Sequence, residues 1–312
     1  MIKYFDFEKE IKNIDTTIDK YLNEDTENIA KIQKLELKKK QLFNKIYSSL
    51  DPWQKVQVSR HNERPHTIDY LNLIFEDVIF LHGDKKYADD QAIIGGFAKI
   101  DNQSVIFIGN EKGNSMNTRI QHNFGMAKPE GYRKAQRLLL LAEKFNLPVV
   151  TFVDTAGAFP GKDAEERGQS ESIASSIMLF LKVKTPTLSI IIGEGGSGGA
   201  IGIASSDRVL MLEHATYSVI SPEGCASILW RSTNFAQDAA KTLKLTSEDC
   251  KNFNIIDKII PEVAGGAHRY PKIQASLIRD SIIENLRDLN KLPIEEIVKI
   301  RKDKYLNITS NI

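Results

Sequence analysis

The segment of the sequence with the clearest catalytic potential is GEGGSGGA, residues 193–200. It follows the apolar run TLSIII and precedes the small-residue segment IGIASS, an order that predicts a strand, a glycine turn and a helix. Three kinds of site use such a turn: a dinucleotide site, the nucleophile elbow of a serine hydrolase, and an anion site made of backbone N–H groups. Each makes different demands on the surrounding sequence.

The dinucleotide interpretation rests on Gly193, Gly195 and Gly198, which match the spacing G-x-G-x-x-G. Glu213 follows 20 residues after Gly193, near the position of a ribose-binding acid. However, the helix after the turn can extend only from about residue 198 to 205, whereas the motif usually opens a longer helix. The motif should also open the first βαβ unit of its domain, and several predicted strands precede it here. Both features count against a dinucleotide site.

The hydrolase interpretation requires Ser197 as nucleophile and a triad in the order serine, acid, histidine. His268 can supply the base, and the acid candidates are Asp238, Asp249 and Asp257. His268, however, belongs to a predicted glycine-rich loop, where a single histidine is more often a surface residue. Five of the seven residues 193–199 are glycine, whereas an elbow serine usually has bulkier neighbours.

The third interpretation requires no side chain. The first amides of a helix lack intrahelical acceptors and carry partial positive charge, so a helix N-terminus binds anions. Glycines let a ligand approach the backbone closely. The N–H groups of Gly198 and Gly199 are therefore placed to form an oxyanion hole for an enolate or similar oxyanion. Tight packing of the helix on the strand, with no ligand, is the alternative.

A second strand, glycine loop and helix are predicted over residues 150–174. Asp154 lies at the end of the strand, Gly157 lies in the loop, and the helix is expected to begin at about Asp163 and to continue to about residue 183. Loops at the carboxyl ends of neighbouring parallel strands line a common ligand crevice. The acids of this segment are interpreted as helix-capping residues, since none has a partner spaced for acid–base chemistry.

Composition excludes several classes of function. The 312-residue chain has a net charge of +1, with 42 basic and 41 acidic residues, which gives no support to a nucleic-acid or membrane-surface role. Cys225 and Cys250 have no C-x-x-C partner, so we expect no metal site, no disulfide framework and a reduced environment. The N-terminus lacks the features of a signal peptide, and no apolar stretch approaches the roughly 18 residues of a membrane helix. A cytoplasmic protein is expected.

The remaining pattern predicts the architecture. Apolar residues recur every three or four positions over 7–22 and 29–46, on either side of NEDTE, which indicates a helical hairpin. From residue 90, apolar strands alternate with helices, which is typical of a mostly parallel sheet covered by helices. Two helices are expected near the C-terminus, at about 271–290 and 293–306. We therefore expect a hairpin over residues 1–50 and an α/β domain over 51–312.

Four segments closely resemble the carboxyltransferase alpha subunits of bacterial multisubunit acetyl-CoA carboxylases. They are, in chain order, FGMAKPEGYRKAQRL, VDTAGAFPGKDAEERGQSESIA, IIGEGGSGGAIGI and TYSVISPEGCASILW. The likeness extends over nearly the whole chain. It implies an α/β fold with a ClpP/crotonase-like core of ββα superhelical turns, an N-terminal helical hairpin and C-terminal helices.

The resemblance also implies a reaction and its partners. A carboxyl group passes from biotin, presented by the biotin carboxyl carrier protein, to acetyl-CoA, and malonyl-CoA for fatty acid synthesis is formed. No cofactor is then bound by this chain itself. The implied partner is a beta subunit that bears a zinc ribbon, in an α2β2 heterotetramer. A decarboxylase or carboxyltransferase acting on another acyl-CoA, and an inactive scaffold that binds the beta subunit through the hairpin, are the alternatives.

The family's catalytic residues correspond to the glycine turn. Its alpha subunit stabilises the biotin ureido oxyanion through two backbone N–H groups, which correspond to Gly198 and Gly199. No side-chain base is required, because biotin released from its CO2 can take the methyl proton. The substrate-binding residues implied by the resemblance are Gly195, Gly196, Gly157, Ala158, Phe159 and Gly161.

Two departures from the family pattern affect these expectations. The chain has DTAGAFPG where the family commonly has DTPGAYPG, so Ala156 and Phe159 replace proline and tyrosine. Phe159 lacks the hydroxyl and cannot donate a hydrogen bond from that position. Lys112 and Gly113 match the family, but the residues after them are less basic, and any phosphate contact there is expected to be weaker.

Overall fold

The computed structural model describes residues 3–23 and 28–308. Its centre is an eight-stranded mixed sheet. The strands are β1 (Glu76–Phe80), β2 (Ile93–Ile100), β3 (Gln103–Asn110), β4 (Val149–Thr155), β5 (Thr187–Gly196), β6 (Arg208–Leu212), β7 (Thr216–Ser218) and β8 (Lys258–Ile260). Every residue of β4 is buried, as the continuous apolar run predicted.

The strands follow the order β1-β2-β3-β4-β5-β6-β8, and β7 pairs with the end of β5. β1, β2 and β3 are antiparallel, and all pairs from β3 onward are parallel. Asp101 and Asn102 connect β2 to β3 with φ values of 49° and 61°. Two successive left-handed residues are typical of a two-residue β-hairpin turn.

Fourteen α-helices surround the sheet in the described residues. They are α1 (Lys9–Asn23), α2 (Ile29–Tyr47), α3 (Pro52–Ser59), α4 (Thr67–Ile74), α5 (Met116–Gln121), α6 (Pro129–Phe145), α7 (Lys162–Glu166), α8 (Gln169–Lys182), α9 (Ser197–Ala204), α10 (Pro222–Trp230), α11 (Ala236–Thr242), α12 (Ser247–Asn252), α13 (Pro271–Leu289) and α14 (Ile294–Asn307). The main apolar core lies between the sheet and the helices packed on it, and includes Phe107, Tyr132, Leu138, Phe152, Phe180, Ile190, Ile203 and Ile278.

The predicted N-terminal helices are present as α1 and α2, although residues 24–27 of NEDTE lie outside the described part of the chain. Phe43 and Tyr47 of α2 form a small apolar cluster with Ile11 of α1, and Val58 and Ala264 join the cluster from the rest of the molecule. This packing attaches the helices to the α/β core. The two predicted C-terminal helices are confirmed as α13 and α14.

One predicted helix is wrong in its extent. The helix expected from about residue 163 to 183 is two helices, α7 and α8, because the chain turns at Gly168, which has φ +82°. A left-handed residue ends one helix and lets the next begin in another direction, and glycine adopts that conformation without a Cβ clash. Residues 165–172 contain no apolar side chain, so the sequence carries no periodicity there that could have located the break.

Candidate active site

The two glycine loops lie side by side at the carboxyl ends of β4 and β5, which are parallel neighbours. A Cβ atom on Gly199 would lie 2.5 Å from the carbonyl carbon of Gly157 and 2.8 Å from the nitrogen of Ala158. A Cβ atom on Gly196 would overlap the carbonyl group of Ala156. The loops therefore contact each other through backbone atoms, and only glycine fits at either position in the turn.

Helix α9 begins directly after β5, with Gly196 as its N-cap residue. No side chain caps this end, so the N–H groups of Gly198 and Gly199 have no hydrogen-bond acceptor in the described part of the chain. Gly198 is partly exposed, and its missing Cβ faces only Ile173, at 3.6 Å. Two adjacent donors at a helix N-terminus are thus available to an anion, as the amide interpretation requires.

The catalytic triad considered for Ser197 is not assembled. Ser197 has φ +49°, and its hydroxyl forms no hydrogen bond within the described residues. The His268 ring instead packs on the ring of His61, with centroids 4.0 Å apart. Both ring nitrogens of His268 lack hydrogen-bond partners in the described residues. Asp249 accepts a hydrogen bond from Thr246, the N-cap residue of α12, and Asp257 pairs with the Lys304 ammonium at 2.5 Å. These positions exclude a Ser–acid–His relay at the turn.

The dinucleotide interpretation also lacks its partners. Helix α9 has only eight residues, as the sequence predicted. Glu213, the candidate ribose ligand, accepts the N–H of Glu262 at 3.0 Å and so serves as an acceptor for the loop after β8. The amide interpretation is the one that agrees with the geometry.

Three hydroxyl groups hold the opposite end of α9. Ser176 Oγ donates to the Gly202 carbonyl at 2.6 Å, Thr151 Oγ1 to the Ile203 carbonyl at 2.9 Å, and the Tyr305 hydroxyl to the Ala204 carbonyl at 3.2 Å. These carbonyls belong to the last turn of the helix, which lacks intrahelical donors. The donors come from α8, β4 and α14, so no local pattern could have identified them. They fix the helix that presents the amides.

A buried network of charges lies behind the turn. The Lys112 ammonium lies 2.7 Å from Asp154 Oδ1 and 2.8 Å from Glu194 Oε2. Asp154 Oδ1 also accepts the N–H of Glu194 at 2.9 Å, and its carboxylate occupies the space where Gly193 has no side chain. The expectation that Asp154 caps its own helix is therefore wrong. Lys112 faces two carboxylates and is not free for the phosphate contact considered in that region.

The charges in this network stabilise each other. Burial raises the pKa of Glu194, but the Lys112 and Arg60 cations outweigh it and lower that pKa to about 2. Burial likewise lowers the pKa of Lys112, but Asp154 and Glu194 outweigh it and raise the pKa above its ordinary value. Both groups are ionised at neutral pH, so Glu194 is a weak base.

The remaining predicted site residues divide into two groups. Gly157 and Ala158 contact Gly199, as described. The Phe159 ring instead faces the Lys128 ammonium, 4.7 Å from the ring centroid, and Gly161 packs directly against that ring. The cation–π contact uses the ring face and requires no hydroxyl, which accommodates the change from tyrosine.

In residues 3–23 and 28–308, no helix is long and apolar enough to cross a bilayer. The same residues contain no group of three or more His, Cys, Asp or Glu side chains that could hold a metal ion.

Solved structures identify the class of fold. Transcarboxylase 12S with methylmalonyl-CoA bound has a TM-score of 0.58 at 17% identity, covering 72% of this chain and 42% of that one. The beta subunit of geranyl-CoA carboxylase from P. aeruginosa has a TM-score of 0.54 at 15% identity, covering 81% of this chain and 45% of that one. A Pseudomonas malonate decarboxylase hetero-tetramer in complex with coenzyme A has a TM-score of 0.56 at 14% identity, covering 69% of this chain and 86% of that one. The fold is crotonase-like, with added helices at both ends, as predicted.

Sequence comparison identifies the family. The sequence model described as "Acetyl co-enzyme A carboxylase carboxyltransferase-like" matches residues 4–309. The acetyl-coenzyme A carboxylase carboxyl transferase subunit alpha of Zymomonas mobilis is 50% identical over 311 residues, 99% of both chains. The subunit of that name from Agrobacterium fabrum is 50% identical over 317 aligned positions, 100% of both chains. The chain belongs to the family of acetyl-CoA carboxylase carboxyltransferase alpha subunits.

Proposed function

We propose that this chain is the alpha subunit of the carboxyltransferase component of acetyl-CoA carboxylase. It takes part in the transfer of a carboxyl group from biotin on the biotin carboxyl carrier protein to acetyl-CoA, which gives malonyl-CoA for fatty acid synthesis. The pair of unpartnered amides at Gly198 and Gly199 carries this proposal, and membership of the family supports the identity of donor and acceptor.

The structure suits a biotin oxygen as the ligand of these amides. Carboxybiotin, when presented by the carrier protein, supplies the carboxyl group. The Gly198 and Gly199 N–H groups then donate hydrogen bonds to the ureido oxygen, and the N-terminus of α9 adds favourable electrostatic potential. The chain restrains the donors on the side of the core, because α9 is held at its other end and the Glu194 N–H donates to Asp154. Loss of one oxyanion donor typically costs on the order of 10²–10³ in rate.

The chain's own side chains at the turn support charge stabilisation rather than proton transfer. The carboxylates nearest the turn, Asp154 and Glu194, are both ion-paired with Lys112. The low pKa of Glu194 makes it a poor proton acceptor. The Ser197 hydroxyl has no base beside it within the described residues. In this proposal the methyl proton of acetyl-CoA is therefore not removed by a side chain of this turn.

The proposal includes the partners. A beta subunit, which bears a zinc ribbon, assembles with this chain as an α2β2 heterotetramer and completes the site, and this chain itself holds no cofactor. Support comes from the alpha-subunit family name and from the heteromeric assembly of a structural neighbour. A cytoplasmic location and a division into a hairpin at 1–50 and a carboxyltransferase domain at 51–312 belong to the same proposal.

The experiment measures decarboxylation of malonyl-CoA with biocytin as the carboxyl acceptor. The purified chain alone is expected to be inactive, and the chain mixed with the beta subunit of the same organism is expected to form acetyl-CoA. Turnover of methylmalonyl-CoA in preference to malonyl-CoA would assign the site to another acyl-CoA. An assembled complex with no turnover of either substrate would contradict the proposal and favour a scaffold.

A further inference from the structure

An exposed apolar surface lies beside the glycine turn, on α10 and the residues that flank it. Its side chains are 40–73% exposed: Val219, Ile228, Leu229, Trp230 and Phe235. A cluster of this kind marks a contact surface for another chain. Its start adjoins the turn, since Ile220 and Pro222 line one small cavity together with Gly195 and Gly196.

Arg60, at the C-terminal end of α3, joins α10 to the glycine turn. Its Nε–H group donates to Glu194 Oε1 at 2.6 Å, and an Nη1–H group donates to Glu223 Oε1, also at 2.6 Å. Glu223 lies in the first turn of α10, and Glu194 directly precedes Gly195. One planar guanidinium therefore connects the two elements, which a single lysine ammonium could not do with the same fixed geometry.

The network of charged side chains extends from the core to the surface. Side-chain exposure is 4% for Asp154 and 16% for Lys112, and rises to 31% for Arg60 and 37% for Glu223. Glu194 lies in the middle, 15% exposed, between the two cations. A contact made on α10 acts on the exposed end of the network, whereas the other end is fixed to β4 by Asp154.

We propose that Arg60 is a positioning residue that couples α10 to the glycine turn, so that a chain docked on the apolar surface of α10 sets the orientation of the Gly198 and Gly199 amides. The docked chain is the beta subunit of the proposed function, on which this inference rests. Ile220 and Pro222, at the start of α10, line one cavity with Gly195 and Gly196, so a chain seated on α10 adjoins the turn at this end of the helix. Arg60 does not touch the reacting atoms and acts through Glu194.

Hydrogen exchange of the peptide that covers 193–204 tests the coupling without relying on turnover. In the wild type, addition of the beta subunit slows exchange of this peptide at least tenfold. In Arg60→Gln the complex still forms and covers the turn, but exchange is slowed at least threefold less than in the wild type. Lys258→Gln breaks an exposed ion pair of the same 2.6 Å length, with Glu284, and behaves like the wild type. Equal slowing in Arg60→Gln and the wild type overturns the coupling.

Ile228→Asp tests the docking surface, with Leu306→Asp as its control because Leu306 is 78% exposed on α14. In sedimentation velocity, Ile228→Asp raises the dissociation constant of the two subunits at least tenfold, and Leu306→Asp changes it less than twofold. If Ile228→Asp leaves that constant unchanged, or disrupts only self-association of this chain, the assignment of the surface to the beta subunit is overturned.

Turnover separates this inference from the proposed function. At saturating beta subunit and well below the melting transition, Arg60→Gln lowers kcat about tenfold, with KM for malonyl-CoA unchanged. The variant also melts at a lower temperature, because Glu194 loses one of its two cations. A purely structural role would lower the melting temperature without lowering kcat. Unchanged kcat in Arg60→Gln with an active wild type overturns the coupling alone. A wild-type complex that shows the exchange response but no carboxyl transfer contradicts the proposed function and supports the coupling.

Discussion

At the scale of single residues, Gly199 has no room for a side chain. Gly199→Ala places a Cβ atom 2.5 Å from the Gly157 carbonyl carbon, so one of the two loops must move. Turnover of malonyl-CoA by the complex is expected to fall by on the order of 10²–10³, because at least one amide donor is displaced from the oxyanion. Steady-state kinetics with saturating beta subunit measures the loss in kcat.

Two neighbouring substitutions serve as controls for Gly199→Ala. Ser197→Ala keeps the backbone N–H groups and removes a hydroxyl that has no partner in the described chain, so most activity is retained. In Gly198→Ala the added Cβ atom lies 3.6 Å from Ile173, an ordinary contact, so the variant is expected to keep the fold. Lower turnover by this variant would therefore indicate that a ligand binds close to Gly198. An inactive Ser197→Ala beside an active Gly199→Ala would disprove the oxyanion assignment.

Local sequence predicted the amides but not the charges behind them. The order of strand, glycine turn and short helix identified Gly198 and Gly199 as candidate donors, because those features lie within the 19 consecutive residues 187–205. Lys112 and Arg60 reach Glu194 across separations of 82 and 134 residues. Only the folded sheet brings such side chains together, and no spacing in the sequence reports it.

At the scale of elements, one buried arginine makes five hydrogen bonds from α14 to the core. Arg301 donates to both oxygens of Asp207 at 2.6 and 2.8 Å and to the carbonyls of Phe180, Val183 and Thr185. Arg301→Met leaves the Asp207 carboxylate and these carbonyls buried without that donor. The free energy of unfolding is expected to fall by about 3–5 kcal/mol, measured by urea denaturation.

Arg279→Met is the matched control for Arg301→Met. Its guanidinium lies 3.5 Å from Asp101, and both side chains are at least 40% exposed, so the expected change is below about 0.5 kcal/mol. A loss for Arg301→Met no greater than for this control would show that α14 does not depend on the buried pair. The sequence predicted the extent of α14 from its periodicity, but an arginine at position 301 gave no sign of burial.

At the scale of the whole molecule, acid is expected to destabilise the fold through His268. Burial lowers the pKa of His268 to about 2, and the neighbouring His61 and Arg269 act in the same direction. An unfolded histidine has a pKa near 6.5, so below that pH the unfolded chain binds a proton that the folded chain does not. Below that pH, His268 lowers the free energy of unfolding by up to about 1.4 kcal/mol for each unit by which the pH falls.

The measurement compares unfolding free energies at pH 7.5 and 5.5 in the wild type and in His268→Phe, which cannot titrate. The wild type is expected to lose about 1.4 kcal/mol more than the variant over this interval. The ring of Phe5 packs on both histidines, so the variant keeps an aromatic contact there. Parallel loss of stability in the two proteins would mean that His268 is protonated in the folded state.

The backbone contact between the two glycine loops limits how either loop can change in evolution or in engineering. They touch through the backbone of Gly157 and Gly199, so no side-chain replacement in one loop can compensate for a change of path in the other. The two loops can therefore be exchanged only together, although 42 positions separate Gly157 from Gly199 in the sequence. Transplanting one loop from a relative of different substrate range is expected to fail where transplanting both together succeeds.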